Sequence, residues 1–141
     1  MALKLTLPLN LHARLDGLGE AIAAASPDIQ FAYLFGSAAT GALMPRSDID
    51  IAIFVTQHAD GHFIRLVIAR AAARQLATDA VDVVLLNTAP LSLSGRVLGT
   101  RQVILDRDPH ARHAYESLTL RKFHDFRIRE HRNLAARRAH G

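Results

Sequence analysis

Phe31-Ala32-Tyr33-Leu34-Phe35-Gly36-Ser37 and, after the ten residues 38–47, Asp48-Ile49-Asp50-Ile51-Ala52-Ile53-Phe54-Val55 decide how this chain is read. Each half is a short run of β-branched or aromatic residues, the pattern of a strand with little exposure. The first run stops at a glycine and a serine. The second opens with two carboxylates. Side chains alternate along a strand, so Asp48 and Asp50 are expected on one face and Ile49, Ile51 and Ile53 on the other. Two carboxylates side by side at the head of an apolar strand repel each other and call for a compensating cation. A hard divalent ion such as Mg²⁺ prefers oxygen ligands and commonly takes one or two carboxylates together with substrate phosphates. Asp82, near the start of the next apolar run Val81 to Leu86, would add a third carboxylate from the same side.

The donors for a phosphate stand next to these acids. Gly36 permits a tight turn and lets a backbone amide come close to an anion. Ser37 adds a hydroxyl, and successive amides in such a turn form an anion-binding nest. The small residues Ala38 to Ala42 have room for a short helix whose positive end would face the same place. Donors on one side and carboxylates with Mg²⁺ on the other complement a triphosphate. A plainer reading makes Ser47-Asp48 a turn and Asp50 a surface position.

Outward from this centre, Leu11, Leu15, Leu18, Ile22 and Ala25 recur at helical spacing, predicting a helix over 11–26 that stops at Ser26-Pro27. Residues 60–78 read as a helix, Val81 to Leu86 as a strand and Pro90 to Gly99 as a short helix. Gln102 to Asp106 reads as a strand, and a last helix starts near Pro109 and runs to about residue 138. The order describes an α+β fold, one mixed sheet of about four strands flanked by helices. At 141 residues, with no repeat or linker, the chain is expected to be a single domain, 1–141.

Composition narrows the class. Half the residues are hydrophobic, yet no apolar run approaches the length of a membrane span. The N-terminal patch, with Lys4 and a break at Pro8, lacks the pattern of a signal peptide. There is no cysteine, which excludes thiol chemistry and zinc–cysteine sites and fits a cytoplasmic, reducing location. The net charge of +4 is uneven: residues 1–120 hold 10 Lys and Arg against 11 Asp and Glu, whereas residues 121–141 hold 7 against 2. A basic end of this kind attracts nucleic acid or an acidic partner, or is simply a solvated helix face. Phe123, Phe126 and Ile128 interleave with Arg121, Lys122, Arg127 and Arg129, a pattern that suits single-stranded nucleic acid, or an amphipathic helix docked on the domain or a partner. Of eight histidines, His58 and His62 are spaced to share a helix face, but no third ligand accompanies them. His110, His113, His124, His131 and His140 read as surface residues, and Arg65, Arg70 and Arg74 as a solvated helix face.

Leu34-Phe35-Gly36-Ser37, followed by Ser47-Asp48-Ile49-Asp50-Ile51-Ala52-Ile53, resembles the signature of the DNA polymerase β-like nucleotidyltransferase superfamily. Within it, the short chain resembles the minimal nucleotidyltransferases that act as antitoxins beside HEPN-domain toxins. The likeness runs from about residue 31 to 108. It implies that Asp48, Asp50 and Asp82 bind metal, with two Mg²⁺ ions, and that Gly36 and Ser37 contact the phosphates of ATP. Some relatives add AMP to a tyrosine of the cognate toxin and silence its ribonuclease activity, so the resemblance implies an AMP-transferring antitoxin with a HEPN-type toxin as partner. One departure stands out: an arginine common before the second glycine is here Thr40, ahead of Gly41, and an acidic residue often next is Ala42. Arg46, just before the Asp pair, is the candidate replacement, and Ser47 beside it a further nucleotide-binding candidate. Three alternatives accompany this reading: an antitoxin that binds its toxin stoichiometrically without catalysis, a small-molecule nucleotidyltransferase of the antibiotic-modifying type, and a nucleic-acid-binding module led by the basic end. Enzymes of the antibiotic-modifying type usually add a helical acceptor domain, for which this chain has no room unless a partner supplies it. A homo-oligomer is a further open assembly, and a membrane partner is not expected.

Overall fold

A computed structural model of the protein describes residues 7–140, with side chains through residue 139. The N-terminal patch around Lys4 and the side chain of His140 lie outside the described residues. The elements in chain order are α1 (Leu11–Asp16), α2 (Leu18–Ala25), β1 (Ile29–Phe35), α3 (Ser37–Thr40), β2 (Ile49–Val55), α4 (Gly61–Leu76), β3 (Val81–Leu85), α5 (Leu91–Thr100), β4 (Gln102–Asp106) and α6 (Pro109–His140). The four strands form one mixed sheet in the order β3-β2-β1-β4. β1 runs antiparallel to both β2 and β4, and β2 runs parallel to β3.

Strand alternation divides the core into two layers. Ile49, Ile51 and Ile53 of β2 point to one face, where they pack with Leu18 and Ile22 of α2 and Ile64, Ile68 and Leu76 of α4. Phe31, Tyr33 and Phe35 of β1, with Ala52 of β2, point to the other, against Val97 and Leu98 of α5. Phe31, Phe54 and Tyr115 of α6 form a triangle of rings, with Phe31 stacked on Phe54 at 4.8 Å and Tyr115 at 5.7 and 5.3 Å from the two. Each fully buried side chain of this size contributes about 1.5–3 kcal/mol, so the sheet is fixed from both sides.

The structure revises four boundaries. The helix expected over 11–26 is two helices, interrupted at Gly17. Gln75 of α4 causes the break: its Nε2 donates to the Arg14 carbonyl at 2.9 Å, and a Cβ at Gly17 would lie 2.6 Å from that nitrogen. β1 begins at Ile29 rather than Phe31, because Ile29 already pairs with Val55 of β2; Arg107 binds the Ser26 and Ile29 carbonyls at this end. β2 opens at Ile49, so Asp48 precedes the strand. β3 ends at Leu85, where Asn87 takes over by exchanging two 2.9 Å hydrogen bonds with the Val55 backbone.

α4 starts at Gly61, its end capped by Asp60, which accepts the Phe63 amide at 3.1 Å. His58 therefore lies in the turn ahead of the helix and does not share a helix face with His62. Arg65, Arg70 and Arg74 are exposed, as are His110, His113, His124 and His131.

α6 is docked by its first half. Buried Glu116 accepts from Tyr33 at 3.1 Å and pairs with Arg101 at 2.7 Å and Arg112 at 2.9 Å. Burial, reinforced by the Glu116 charge and hydrogen bond, pushes the Tyr33 hydroxyl far above its ordinary pKa. One step further along, Phe123 sits directly on Gly95 of α5, where any side chain would collide with its ring. From His124 to Ala139 every residue is exposed.

Candidate active site

Asp50 and Asp82 are register partners across the parallel β2–β3 pair. Asp50 belongs to the same alternating series as Ala52 and Phe54, and Asp82 to that of Val84, so both project into the layer that α5 covers. Asp48 stands in the segment just before β2, held by a turn. In that turn the Ser47 amide donates to the Met44 carbonyl at 2.9 Å, and the Met44 amide donates to Ser47 Oγ at 2.9 Å. Ser47 thus closes the turn that presents Asp48, as the plainer sequence reading has it. Arg46 is exposed in the same turn.

Opposite these acids is the bend at the end of β1. Phe35 pairs with Asp50 across β1–β2, which brings Gly36 against the Asp50 carboxylate. Gly36 has φ +68° and ψ −148°, a conformation essentially closed to other residues, and a Cβ there would lie 2.7 Å from Asp50 Oδ2. Glycine is therefore needed twice, for the backbone and for the carboxylate. The Gly36 amide is not the free donor that the sequence suggests: it donates to Thr100 Oγ1 of α5 at 2.8 Å. The Gly36 carbonyl accepts the amides of Ala39 and Thr40, which starts α3. Among the described residues, the bend's unengaged donors are then the amides of Ser37 and Ala38, which lead the helix and have no acceptor within it, and the Ser37 hydroxyl. Thr40 is exposed and turns its hydroxyl back to the Gly36 carbonyl at 3.3 Å.

The electrostatics follow from this crowding. Burial first, then the charges of Asp82 and Asp48, push the Asp50 carboxyl above its ordinary range, and Arg96 pulls it partly back. Surplus negative charge on hard oxygen donors is the chemistry that suits Mg²⁺. Among the described residues no three acidic or histidine side chains stand close enough to ligate one ion as they are placed. Asp48 and Asp82 are exposed, however, and exposed side chains change rotamer readily. A groove of about 850 Å³ between α2 and α4, lined in part by Phe63 and Leu66, lies on the other layer and holds none of these groups. Arg96 is the residue that sequence reasoning missed. Its only signal there is that no other lysine or arginine occurs between Arg74 and Arg101.

The mixed sheet with helices on both faces is a nucleotidyltransferase fold. The family model described as Polymerase beta, Nucleotidyltransferase matches residues 20–110, and the chain belongs to that family. Solved structures share the fold. A chain of a toxin–antitoxin crystal structure with AMP-PNP superposes with a TM-score of 0.69 at 23% identity, over 87% of this chain and 96% of that one. A chain of the tri-AMPylated Shewanella oneidensis HEPN toxin in complex with MNT antitoxin gives 0.66 at 21%, over 89% and 97%. A chain of the toxin–antitoxin MntA-HepT gives 0.65 at 21%, over 89% and 97%. No curated protein matches the sequence. Among the described residues no helix is long and apolar enough to cross a membrane.

Proposed function

We propose that the whole chain is one nucleotidyltransferase domain that transfers AMP from ATP to a hydroxyl of a partner protein, a tyrosine of a HEPN-type toxin, and so acts as a cytoplasmic antitoxin. The observation that carries this reading is the pairing of Asp50 with Asp82 on adjacent strands, directly against the Gly36-Ser37 bend. The toxin–antitoxin complexes that share the fold, one with AMP-PNP and one with a tri-AMPylated toxin, support the choice of nucleotide and partner.

Asp48, Asp50 and Asp82 would hold Mg²⁺, two ions in all, which when bound neutralises phosphate charge and favours deprotonation of the attacking hydroxyl. Ser37, through its amide and hydroxyl, and the amide of Ala38 orient the triphosphate. Arg46 lies close enough in sequence to Asp48 to guard the entrance, while Ser47 acts by fixing the turn. The acceptor oxygen forms a bond to the α-phosphorus, the bond to pyrophosphate breaks, and Asp82 takes the hydroxyl proton. Positioning and charge stabilisation supply the acceleration, without a covalent intermediate on the enzyme.

The test is to incubate the protein with ATP labelled in the α-phosphate, Mg²⁺ and a HEPN toxin. Label should pass to the toxin, and Asp48→Asn or Asp50→Asn should cut the rate at least about a hundredfold. Transfer at the full rate by both variants would refute the assignment. Thr40, where the resemblance calls for arginine, favours a second reading in which the protein silences its toxin by stoichiometric binding alone. Unlabelled toxin that is nevertheless inhibited would select it.

A further inference from the structure

α3 offers a triphosphate amides and hydroxyls, but Ser37 to Thr40 include no cation. α5 lies on the sheet face into which Asp50 and Asp82 project, and its placement is closely fixed. Val97 and Leu98 are buried under the sheet, and Thr100 Oγ1 accepts the Gly36 amide at 2.8 Å. Arg96 lies four residues before Thr100, one turn back on the same helix face, and its side chain is exposed. That face is turned toward the bend and toward the layer into which Asp50 and Asp82 project. The charge of Arg96 is accordingly felt at Asp50.

The next arginines along the chain, Arg101, Arg107 and Arg112, are committed elsewhere. Arg101 pairs with Glu116 at 2.7 Å, and Arg112 with Asp106 at 2.8 Å and with Glu116. Arg107 donates to the carbonyls of Ala23, Ser26 and Ile29. Arg96 has no carboxylate within 4.0 Å among the described residues. A guanidinium is planar and always charged, and it grips phosphate oxygens through paired, charge-assisted hydrogen bonds.

We propose that Arg96 of α5 is the triphosphate-binding cation of this site, reaching across the Gly36 bend to do what no residue of α3 does. This rests on the nucleotidyltransferase reading for its ligand, but it makes a separate prediction.

The experiment compares wild type, Arg96→Ala and Arg96→Lys as full-length proteins, by calorimetric titration with AMP-PNP and with AMP in the presence of Mg²⁺. Arg96→Ala should weaken AMP-PNP binding roughly ten- to a hundredfold, the loss of a charge-assisted contact, with AMP binding and the thermal midpoint unchanged. Arg96→Lys should recover part of the loss. In the transfer assay the KM for ATP should rise by a similar factor, more than kcat falls. Equal affinity of wild type and Arg96→Ala for AMP-PNP overturns the proposal, as does a parallel loss of AMP and AMP-PNP, which marks a merely structural role. Arg96-dependent AMP-PNP binding by a protein that labels no toxin upholds this assignment and rejects the transferase reading, so the two stand or fall separately.

Discussion

Asp50 is held between Asp48, Asp82 and the bend at Gly36, and its carboxyl is raised by burial and by those two charges. A carboxyl whose folded pKa exceeds its unfolded value costs stability while ionised, above the raised pKa. The cost disappears once pH falls below the ordinary carboxylate range, where the group is protonated in both states. Asp50→Asn should therefore melt higher than wild type at neutral pH, with the two melting curves converging in acid. Mg²⁺ should raise the midpoint of wild type but not of the variant, and chelation should reverse the gain. A variant less stable than wild type at pH 7 would count against crowded charge as the cause. Gly36→Ala forces a side chain into a glycine-only conformation and onto the Asp50 carboxylate, costing about 1–3 kcal/mol by denaturant titration. At this scale Asp50 and Asp82 were legible from the two-residue period of their strands. Gly36 was legible as a required glycine, though its amide serves Thr100, a partner 64 positions away that no local pattern announces. Arg96 was illegible because the rotation of α5 about its axis is set by Val97 and Leu98 packing on the sheet, a tertiary fact.

Among the elements, β2 and β3 carry the acids and α5 secures the bend, while α6 is fastened by one buried carboxylate. Glu116 accepts from Tyr33, Arg101 and Arg112 at once. Glu116→Gln would leave Arg101 without its counter-charge and Arg112 with Asp106 alone. Because Arg101 and Arg112 are partly exposed, the cost should fall between the about 1 kcal/mol of a surface pair and the about 3–5 kcal/mol of a buried one. Denaturant unfolding measures it, and a loss below about 0.5 kcal/mol would mean that aromatic packing around Tyr115 holds the helix instead. Element type followed from periodicity throughout, since β-branched runs and 3.6-residue spacing are local properties. Boundaries did not: α1 and α2 part because of Gln75, and β2 begins after Asp48 because Ser47 closes a turn. The first rests on a contact 61 residues away, the second on side-chain hydrogen bonding within a turn that strand periodicity does not register.

For the molecule as a whole, the basic end is a solvated helix face, as composition allows. It is the outer part of α6, helical and exposed from His124 to Ala139. Phe123 is withdrawn from solvent by Gly95 and is covered by Arg127 at 6.0 Å, which leaves Phe126 as the exposed aromatic ring of that stretch. Deleting residues 129–141 should shift the thermal midpoint by no more than about 2–4 °C, the equivalent of roughly 1 kcal/mol. The shortened protein should elute from a heparin column at clearly lower salt; an unchanged elution point would show that the rest of the molecule sets its affinity for polyanions. Charge asymmetry along the chain was plain from composition, whereas the extent of docking depended on Glu116 and Gly95 and was not.

With 32 residues, α6 measures about 48 Å from end to end, and its outer half stands clear of the body. Cations borne on such a rod, with near-balanced charge in the body behind it, make the molecule a large electric dipole. It will swing into line with a negatively charged object several ångströms before touching it, rod foremost, within the reach that dissolved salt allows. The speed of an encounter, more than the tightness of the final embrace, is what that asymmetry governs.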